Sequence, residues 1–429
     1  MTTHAPALFL GIDLGTSGCR GCLIDADGRA LAMQSVALPP PVAADANGEH
    51  DAMLWWNATA AVIRELAPVA GGDLLALAVD GTSGTLLLTD ADGRPRGPAL
   101  RYDDARAVAQ ATTIRDLAPR ESGAHGATSG LAKLLWLDRF TDTHGVAHAL
   151  HQADWIAGRL LGRFGASDEN NALKLGYDPV ERRWPDWLDA LDVPRTWLPQ
   201  VVAPGTPLGT VDATIAQALG LPPHCFVVAG TTDSIAGFLA TGACKIGEAV
   251  TALGSTIALK IVSDRPVFDP DHGVYSHRLW DTWLAGGASN SGGAVLRQFF
   301  SQAQLDALTP LLDPDRPTGL DYYPLPRPGE RFPHADPDMQ PRMTPRPEDD
   351  RVFLQALLEG MAAIEAEGYR RLAALGAPTP VNVRTTGGGA VNAAWTRMRE
   401  RALGVPVIPA SQADAAYGAA LLARRAVTG

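Results

Sequence analysis

The sequence predicts an α/β protein built from two related domains, and three observations carry that prediction. Its 429 residues exceed one ordinary core, since a domain takes roughly 100–200 residues. An apolar strand runs into Gly15-Thr16-Ser17-Gly18 and returns through a second strand to the turn Asp25-Ala26-Asp27-Gly28-Arg29. Residues 74–96 repeat that outline with Gly81-Thr82-Ser83-Gly84 and Asp90-Ala91-Asp92-Gly93-Arg94. The second half uses the same style, a strand pair around Leu253-Gly254-Ser255-Thr256 followed by helices, as expected of two α/β domains facing each other.

The elements follow in order. Leu8–Asp13 and Cys19–Ile24 read as paired strands, and Leu74–Val79 with Thr85–Thr89 as a second pair. Asp51 can cap a helix carrying Trp55, Trp56, Val62, Ile63 and Leu66. Another helix covers Leu131–Phe140. Turns at Pro204–Pro207 and Pro222–Pro223 precede a strand, Cys225–Ala229, the loop Gly230-Thr231-Thr232-Asp233 and a helix, Ile235–Ala240. Residues 310–347 hold 11 of the 33 prolines. A disordered linker is one reading, but Tyr322, Tyr323 and Phe332 favour an ordered excursion. Phe353, Leu357, Met361 and Ile364 then form one helical stripe. The last helix, Ala415–Ala426, is rich in small residues and should pack closely on its neighbour.

The charge argues against whole classes of partner. Lys+Arg number 36 against 47 Asp+Glu, a formal charge of −11, which disfavours nucleic-acid backbones and anionic membranes. A local site for one small anion stays open. No apolar run approaches the roughly 18 residues that span a bilayer. Met1–Pro6 lacks the basic start of a secretory leader. The four cysteines (Cys19, Cys22, Cys225 and Cys244) suit a reducing cytoplasm. Cys19-x-x-Cys22 has redox or half-metal-site spacing, though the reading adopted is of small buried positions in a strand. His144, His148 and His151 have helical spacing that could bind zinc, but no carboxylate stands between the first pair, and a partly exposed helix face is the reading adopted. No Gly-Lys pair exists, so a Walker loop is absent, and Thr85 stands where a serine-hydrolase elbow needs glycine.

Three loops could carry chemistry. Asp13 ends a strand and Gly15-Thr16-Ser17 offers amides and hydroxyls, a pattern suited to a Mg²⁺-bound phosphate or to a plain hairpin. Gly254-Ser255-Thr256 is a second such turn, and Gly387-Gly388-Gly389 is a glycine-rich strand-to-helix junction. Together they read as a three-part nucleotide site. Asp233, between them, either caps a helix or acts as a general base toward a sugar hydroxyl.

This set resembles the FGGY carbohydrate kinases of the actin/hexokinase/Hsp70 ATPase superfamily. The resemblance is carried by Gly11–Ser17, Glu49 with Trp55-Trp56, Lys133–Trp136, Gly230–Asp233, Gly254–Thr256, Gly387–Asn392 with Trp395, and Ala416–Ala420. The strings His151–Trp155, Ser167-Asp168 with Asn170–Lys174, Gly273–Arg278 and Asp321–Pro324 resemble its short pentulose-kinase branch. Xylulokinases carry a G-Q-M-H motif after the strand at 74–79, whereas this chain has Asp80-Gly81-Thr82-Ser83, which supports ribulose.

The resemblance implies two RNase H-like domains flanking a deep catalytic cleft whose closure excludes water. The sugar-binding domain would be 1–240 completed by 414–429, and the ATP-binding domain 241–413. It implies ATP and Mg²⁺, with D-ribulose as the leading sugar and D-xylulose or another polyol as the alternative. A nucleotide-dependent binding protein without phosphotransfer is the rival of a different class. Asp233 would be the general base and Asp13 would organise Mg²⁺, partly through water. Ser17 and Ser83 would join them at the sugar. Thr16, Gly254, Ser255, Gly388, Gly389, Asn392 and Trp395 would hold ATP. A cytoplasmic monomer or homodimer is expected.

Overall fold

The computed structural model describes residues 7–39 and 49–429. The leader expectation concerns residues 1–6, which lie outside them. The chain forms two compact units, residues 1–240 with 414–429, and residues 241–413.

In the first unit the strands are β1 (Leu8–Leu14), β2 (Gly18–Asp25), β3 (Ala30–Ala37), β4 (Glu49–His50), β5 (Leu74–Gly81), β6 (Leu86–Thr89), β7 (Ala99–Leu100), β8 (His148–His151), β9 (Ala166–Asp168), β10 (Gln200–Val202), β11 (Pro207–Thr210) and β12 (Phe226–Thr232). The main sheet has the order β11-β12-β5-β1-β2-β3. All seven residues of β1 are buried, as a strand with neighbours on both edges and layers on both faces requires. The edge strand β3 is largely exposed. Helices α1 (Ala52–Ala70), α2 (Val108–Leu117), α3 (Gly130–Phe140), α4 (Gln152–Leu161), α5 (Glu169–Ala172), α6 (Ala213–Leu219) and α7 (Asp233–Ala240) belong to the same unit. Asp51 caps α1 by accepting from Met53 N–H at 2.8 Å.

One expectation fails here. The first Gly-Thr-Ser-Gly turn joins a true hairpin, β1 antiparallel to β2. The second does not: β5 is hydrogen-bonded on both sides by β1 and β12, both parallel to it, so no edge remains for β6. That strand joins a separate four-stranded sheet, β4-β7-β6-β8. The histidines also differ from expectation. His148 and His151 lie on β8 and His144 in the preceding turn, so they share no helix face, and His151 is fully buried at the start of α4. Cys19 and Cys22 are free, buried positions on β2.

The second unit holds β13 (Glu248–Leu253), β14 (Ile257–Ser263), β15 (Tyr275–Leu279), β16 (Thr282–Ser289), β17 (Asn382–Thr386) and β18 (Val407–Pro409), in the order β15-β16-β14-β13-β17-β18. Its helices are α8 (Gly293–Phe299), α9 (Gln302–Leu308), α10 (Asp350–Ala374) and α11 (Ala393–Leu403). The run β16-β14-β13-β17-β18 repeats the plan of β3-β2-β1-β5-β12: an antiparallel pair, then parallel partners on the far side of its first strand. A buried ion pair ties the layers together, with Arg399 Nε donating to Glu365 at 2.6 Å and Nη1 to Thr385 Oγ1 at 2.7 Å. In the proline-rich excursion Tyr322, Tyr323 and Phe332 are buried. Glu330 anchors it, accepting from Ser289 Oγ at 2.5 Å, Asn290 N–H at 2.7 Å and Tyr323 OH at 3.0 Å.

The terminal helix α12 (Ala415–Thr428) returns to the first unit. A Cβ built on Gly418 would stand 1.8 Å from Ala236 O of α7, and one on Gly11 would stand 1.9 Å from Ala416 O. Only glycine permits backbones this close. Gly21 meets Val62 and Leu66 of α1. Gly11 and Gly21 pair with neighbours one residue apart in register, Cys22 and Ile12, so they face opposite sides. The sheet therefore lies between α1 on one face and α12 with α7 on the other. Among the described residues no helix is long and apolar enough to cross a membrane.

Candidate active site

In the first unit, cross-strand register assembles a carboxylate cluster. Asp13 stands opposite Arg20 on β2 and opposite Asp80 on β5, and Asp80 stands opposite Thr231 on β12. Residues in one cross-strand row point to one face, here the face under α12. Arg20 Nη1 donates to Asp13 Oδ2 at 3.1 Å and lies 3.9 Å from Asp414, the N-cap of α12. Thr231 Oγ1 accepts from Asn170 Nδ2 at 3.1 Å. Burial raises the pKa of Asp13, partly offset by a hydrogen bond with Asp80 and by Arg20.

Asp80 is fully buried, and among the described residues neither of its oxygens has a donor. Burial, then the charge of Asp13, pushes its pKa well above the usual carboxylate range, with Asp233 and Asp414 adding to the shift. A neutral Asp80 can donate its proton to ionised Asp13, which reconciles two adjacent carboxyls with one buried site. Sequence reasoning assigned Asp80 no role. The signal was present, since Asp13 and Asp80 each end a strand just before a Gly-Thr-Ser turn.

Asp233 is the first residue of α7, half-buried, with Oδ1 accepting from Ser234 N–H at 2.6 Å. Thr16 and Ser17 are exposed at the β1–β2 turn. Gly15 and Thr16 line a small recess with His50, Trp55, Thr82 and Gln152, so the two Gly-Thr-Ser turns meet in space. The second turn is held rigidly. Gln152 Oε1 accepts from Thr82 N–H at 3.1 Å and from its hydroxyl at 2.9 Å. Lys133 Nζ donates to Gly84 O at 2.8 Å and to Thr128 O at 3.0 Å. Ser83 Oγ is left buried and, among the described residues, without a partner. Neither Gln152 nor Lys133 was assigned a role from sequence, because their partners lie far along the chain.

The second unit holds a cavity of about 470 Å³, lined by Gly254, Ser255, Gly388, Gly389, Asn392 and Trp395 among others. All the nucleotide residues expected in this half of the chain thus share one wall. The local reasons are physical. A Cβ on Gly389 would meet Trp395 Cζ3 at 2.5 Å, Gly387 has φ +83°, and Gly388 faces open space. Asn392 Oδ1 caps α11 by accepting from Trp395 N–H at 2.9 Å. The Trp395 indole is buried and donates to Leu358 O at 3.0 Å, so it supports the loop from beneath. Arg297 Nη2 donates to Ser255 Oγ at 2.8 Å, a cation at this turn that no sequence motif announced. The size and mixed lining suit a small organic ligand.

Among the described residues no cluster of three or more His, Cys, Asp or Glu side chains is arranged to hold a metal. Mg²⁺ needs no such cage, since it keeps several waters and is bound through one or two carboxylates plus substrate phosphates. Asp13, with Asp80 behind it, fits that pattern.

Comparisons with known proteins identify a family. Residues 8–240 match the N-terminal domain of the FGGY family of carbohydrate kinases, and 249–427 match its C-terminal domain. The chain is 27% identical over 411 residues to the xylulose kinase of Escherichia coli (strain K12), covering 91% of this chain and 84% of the relative. It is 27% identical over 464 residues to the autoinducer-2 kinase of Yersinia pestis (strain Pestoides F), covering 98% and 86%. The crystal structure of a xyloylose kinase from Brucella ovis superposes with a TM-score of 0.88 at 24% identity, covering 98% of this chain and 91% of that one. The structure of Plasmodium falciparum glycerol kinase with ADP gives 0.85 at 16% identity, covering 98% and 90%. At these identities the superpositions establish the fold alone, an actin-like α/β fold.

Proposed function

The chain belongs to the FGGY family of carbohydrate kinases, and from that premise we propose that it transfers the γ-phosphoryl group of ATP to the terminal hydroxyl of a pentulose, D-ribulose foremost, giving D-ribulose 5-phosphate and ADP. Asp233 takes the hydroxyl proton as that oxygen attacks phosphorus, and ADP leaves with the electrons of the broken P–O bond. Asp13 holds the metal side of the phosphates, and Asp80 keeps Asp13 in place. Mg²⁺, when bound with ATP, neutralises charge on the transferring group. Gly254, Ser255, Gly388 and Gly389 cradle the nucleotide, and Thr16 and Ser17 offer their hydroxyls and amides to the phosphates. Most of the barrier reduction comes from positioning and charge stabilisation.

The observation that carries the ribulose reading is the Asp80–Gly84 turn. Lys133 and Gln152 satisfy its neighbours and leave Ser83 Oγ buried without a partner, a hydroxyl available to a sugar hydroxyl. A buried polar group built to pair with one substrate discriminates strongly against analogues that leave it unpaired. D-xylulose is the second reading, because two relatives are named xylulose kinases. Measuring ADP release with D-ribulose, D-xylulose and a panel of polyols decides between them. A higher kcat/KM for D-xylulose would overturn the ribulose assignment. ATP turnover without any phosphosugar would overturn the kinase reading itself.

A further inference from the structure

The β15-β16-β14 sheet of the second unit has a second face, turned away from α10. On the α10 side Leu259 and Gly287 meet Gly368 and Phe332. On the opposite side, register places Lys260, Gly286 and Tyr275 in one cross-strand row, with His277 and Leu284 in the next. Ala258 and Ala288 complete the floor. Small residues leave this face concave, and it lines a cavity of about 240 Å³ whose rim carries His272 and Arg331.

Three features distinguish this hollow from an ordinary solvated sheet face. Among the described residues no carboxylate lines it, in a chain whose net charge is −11. The nearby Asp269 is engaged with His272 at 2.8 Å and Arg371 at 2.9 Å. Gly286 is a mid-strand glycine, which weakens a strand relative to alanine. A Cβ there would stand 2.5 Å from Leu259 O and 3.2 Å from Lys260 Cγ. The glycine therefore lets the lysine stem lie across the sheet toward Tyr275, and a strand glycine often marks such close approach. Arg331 directly follows the anchor of the proline-rich excursion, its backbone N–H donating to Glu330 at 2.9 Å, and its side chain stands exposed at the rim.

We propose that this cavity is a binding site for a small phosphomonoester dianion, separate from the nucleotide cavity. Lys260 supplies a point charge, Arg331 a planar fork suited to phosphate oxygens, and Tyr275 and His277 further hydrogen-bonding groups. At about half the volume of the nucleotide cavity, it accommodates a phosphate with a short carbon chain rather than a nucleotide. The assignment concerns binding and holds whichever sugar the enzyme phosphorylates.

Isothermal titration of the full chain with inorganic phosphate and, separately, with a pentose 5-phosphate tests it. Lys260→Met and Arg331→Ala should each weaken phosphate binding by at least roughly fivefold, as loss of one charge-assisted contact implies, while ADP affinity stays within about twofold. An ester that binds about tenfold tighter than free phosphate, in a binding event that both substitutions weaken, identifies a sugar phosphate as the ligand; equal affinities identify phosphate itself. Both positions are accessible, so the variants should keep the melting temperature, which is measured alongside. Absence of saturable binding up to about 10 mM, or binding that survives both substitutions, overturns the proposal.

Discussion

Replacing Lys133 by Met separates support of the Asp80–Gly84 turn from support of the fold. Lys133 is fully buried and donates to Gly84 O and Thr128 O. Burial lowers its pKa from 10.5 to about 8, against the opposing pull of Asp104 and Asp103. That displacement corresponds to about 3 kcal/mol of disfavoured ammonium. Two hydrogen bonds from a charged donor return about 1.5–3 kcal/mol each. The terms nearly cancel and Met keeps most of the stem's volume, so global stability should change by less than about 2 kcal/mol. The Ser83 turn loses its tether, and the sugar KM should rise about tenfold, or ~1.4 kcal/mol. The KM for ATP should stay unchanged, because the nucleotide cavity belongs to the other unit. The sign of the pH effect follows from the lowered pKa. Between about pH 8 and 10.5 the unfolded lysine is protonated and the folded one is not, so the native protein gains stability with rising pH. The Met variant lacks that gain. Urea midpoints below pH 8 and near pH 10, with steady-state kinetics in both substrates, measure all three quantities. An unchanged sugar KM together with a pH-independent stability difference would refute the reasoning.

Other outcomes follow from the same geometry. Asp233→Asn should lower kcat by about 10²–10⁴-fold with ADP affinity retained by calorimetry; near-normal turnover would remove Asp233 from the role of base. Asp13→Asn should raise the Mg²⁺ concentration needed for half-maximal rate, and an unaltered Mg²⁺ titration would argue against its place at the metal. Gly418→Val would drive a side chain into Ala236 O of α7 and should cost at least about 3 kcal/mol, read as loss of native protein on thermal melting. Burial pushes the thiols of Cys19, Cys22 and Cys225 up to about 12 while Cys244 is exposed. A thiol reagent should therefore titrate one group quickly in the native protein and the other three only after unfolding.

Several elements were legible because their causes are local. Leu8–Asp13 is apolar throughout and becomes the buried β1, and Asp51 stands one residue before α1 and caps it. The alternation of small residues in 415–426 becomes a helix whose Gly418 meets α7. The echo at 74–96 misled for an equally physical reason. Turn residues specify a reversal of the chain, but which edge accepts the next strand depends on whether that edge is already occupied, and β12 arrives at β5 from much later in the sequence. The histidines at 144–151 misled because a spacing suits a helix only where a helix forms, and β8 pairs with β6 instead.

The amino-acid sequence by itself determined that two strand–turn–strand units would carry Gly-Thr-Ser and Gly-Ser-Thr tips, that Asp13 would stand at a strand end beside a polar turn, and that Asp233 would stand at a strand-to-helix junction, although the loop expected at 230–233 is the end of β12 and the start of α7. Glycines, hydroxyls and terminal carboxylates impose those features within a few residues. Only the tertiary structure decided that Asp80 lies beside Asp13, that Lys133 and Gln152 hold the turn bearing Ser83, that Arg297 reaches Ser255, and that Lys260 crosses Gly286. Each of these depends on the register or packing of segments distant in the chain, which no local pattern encodes.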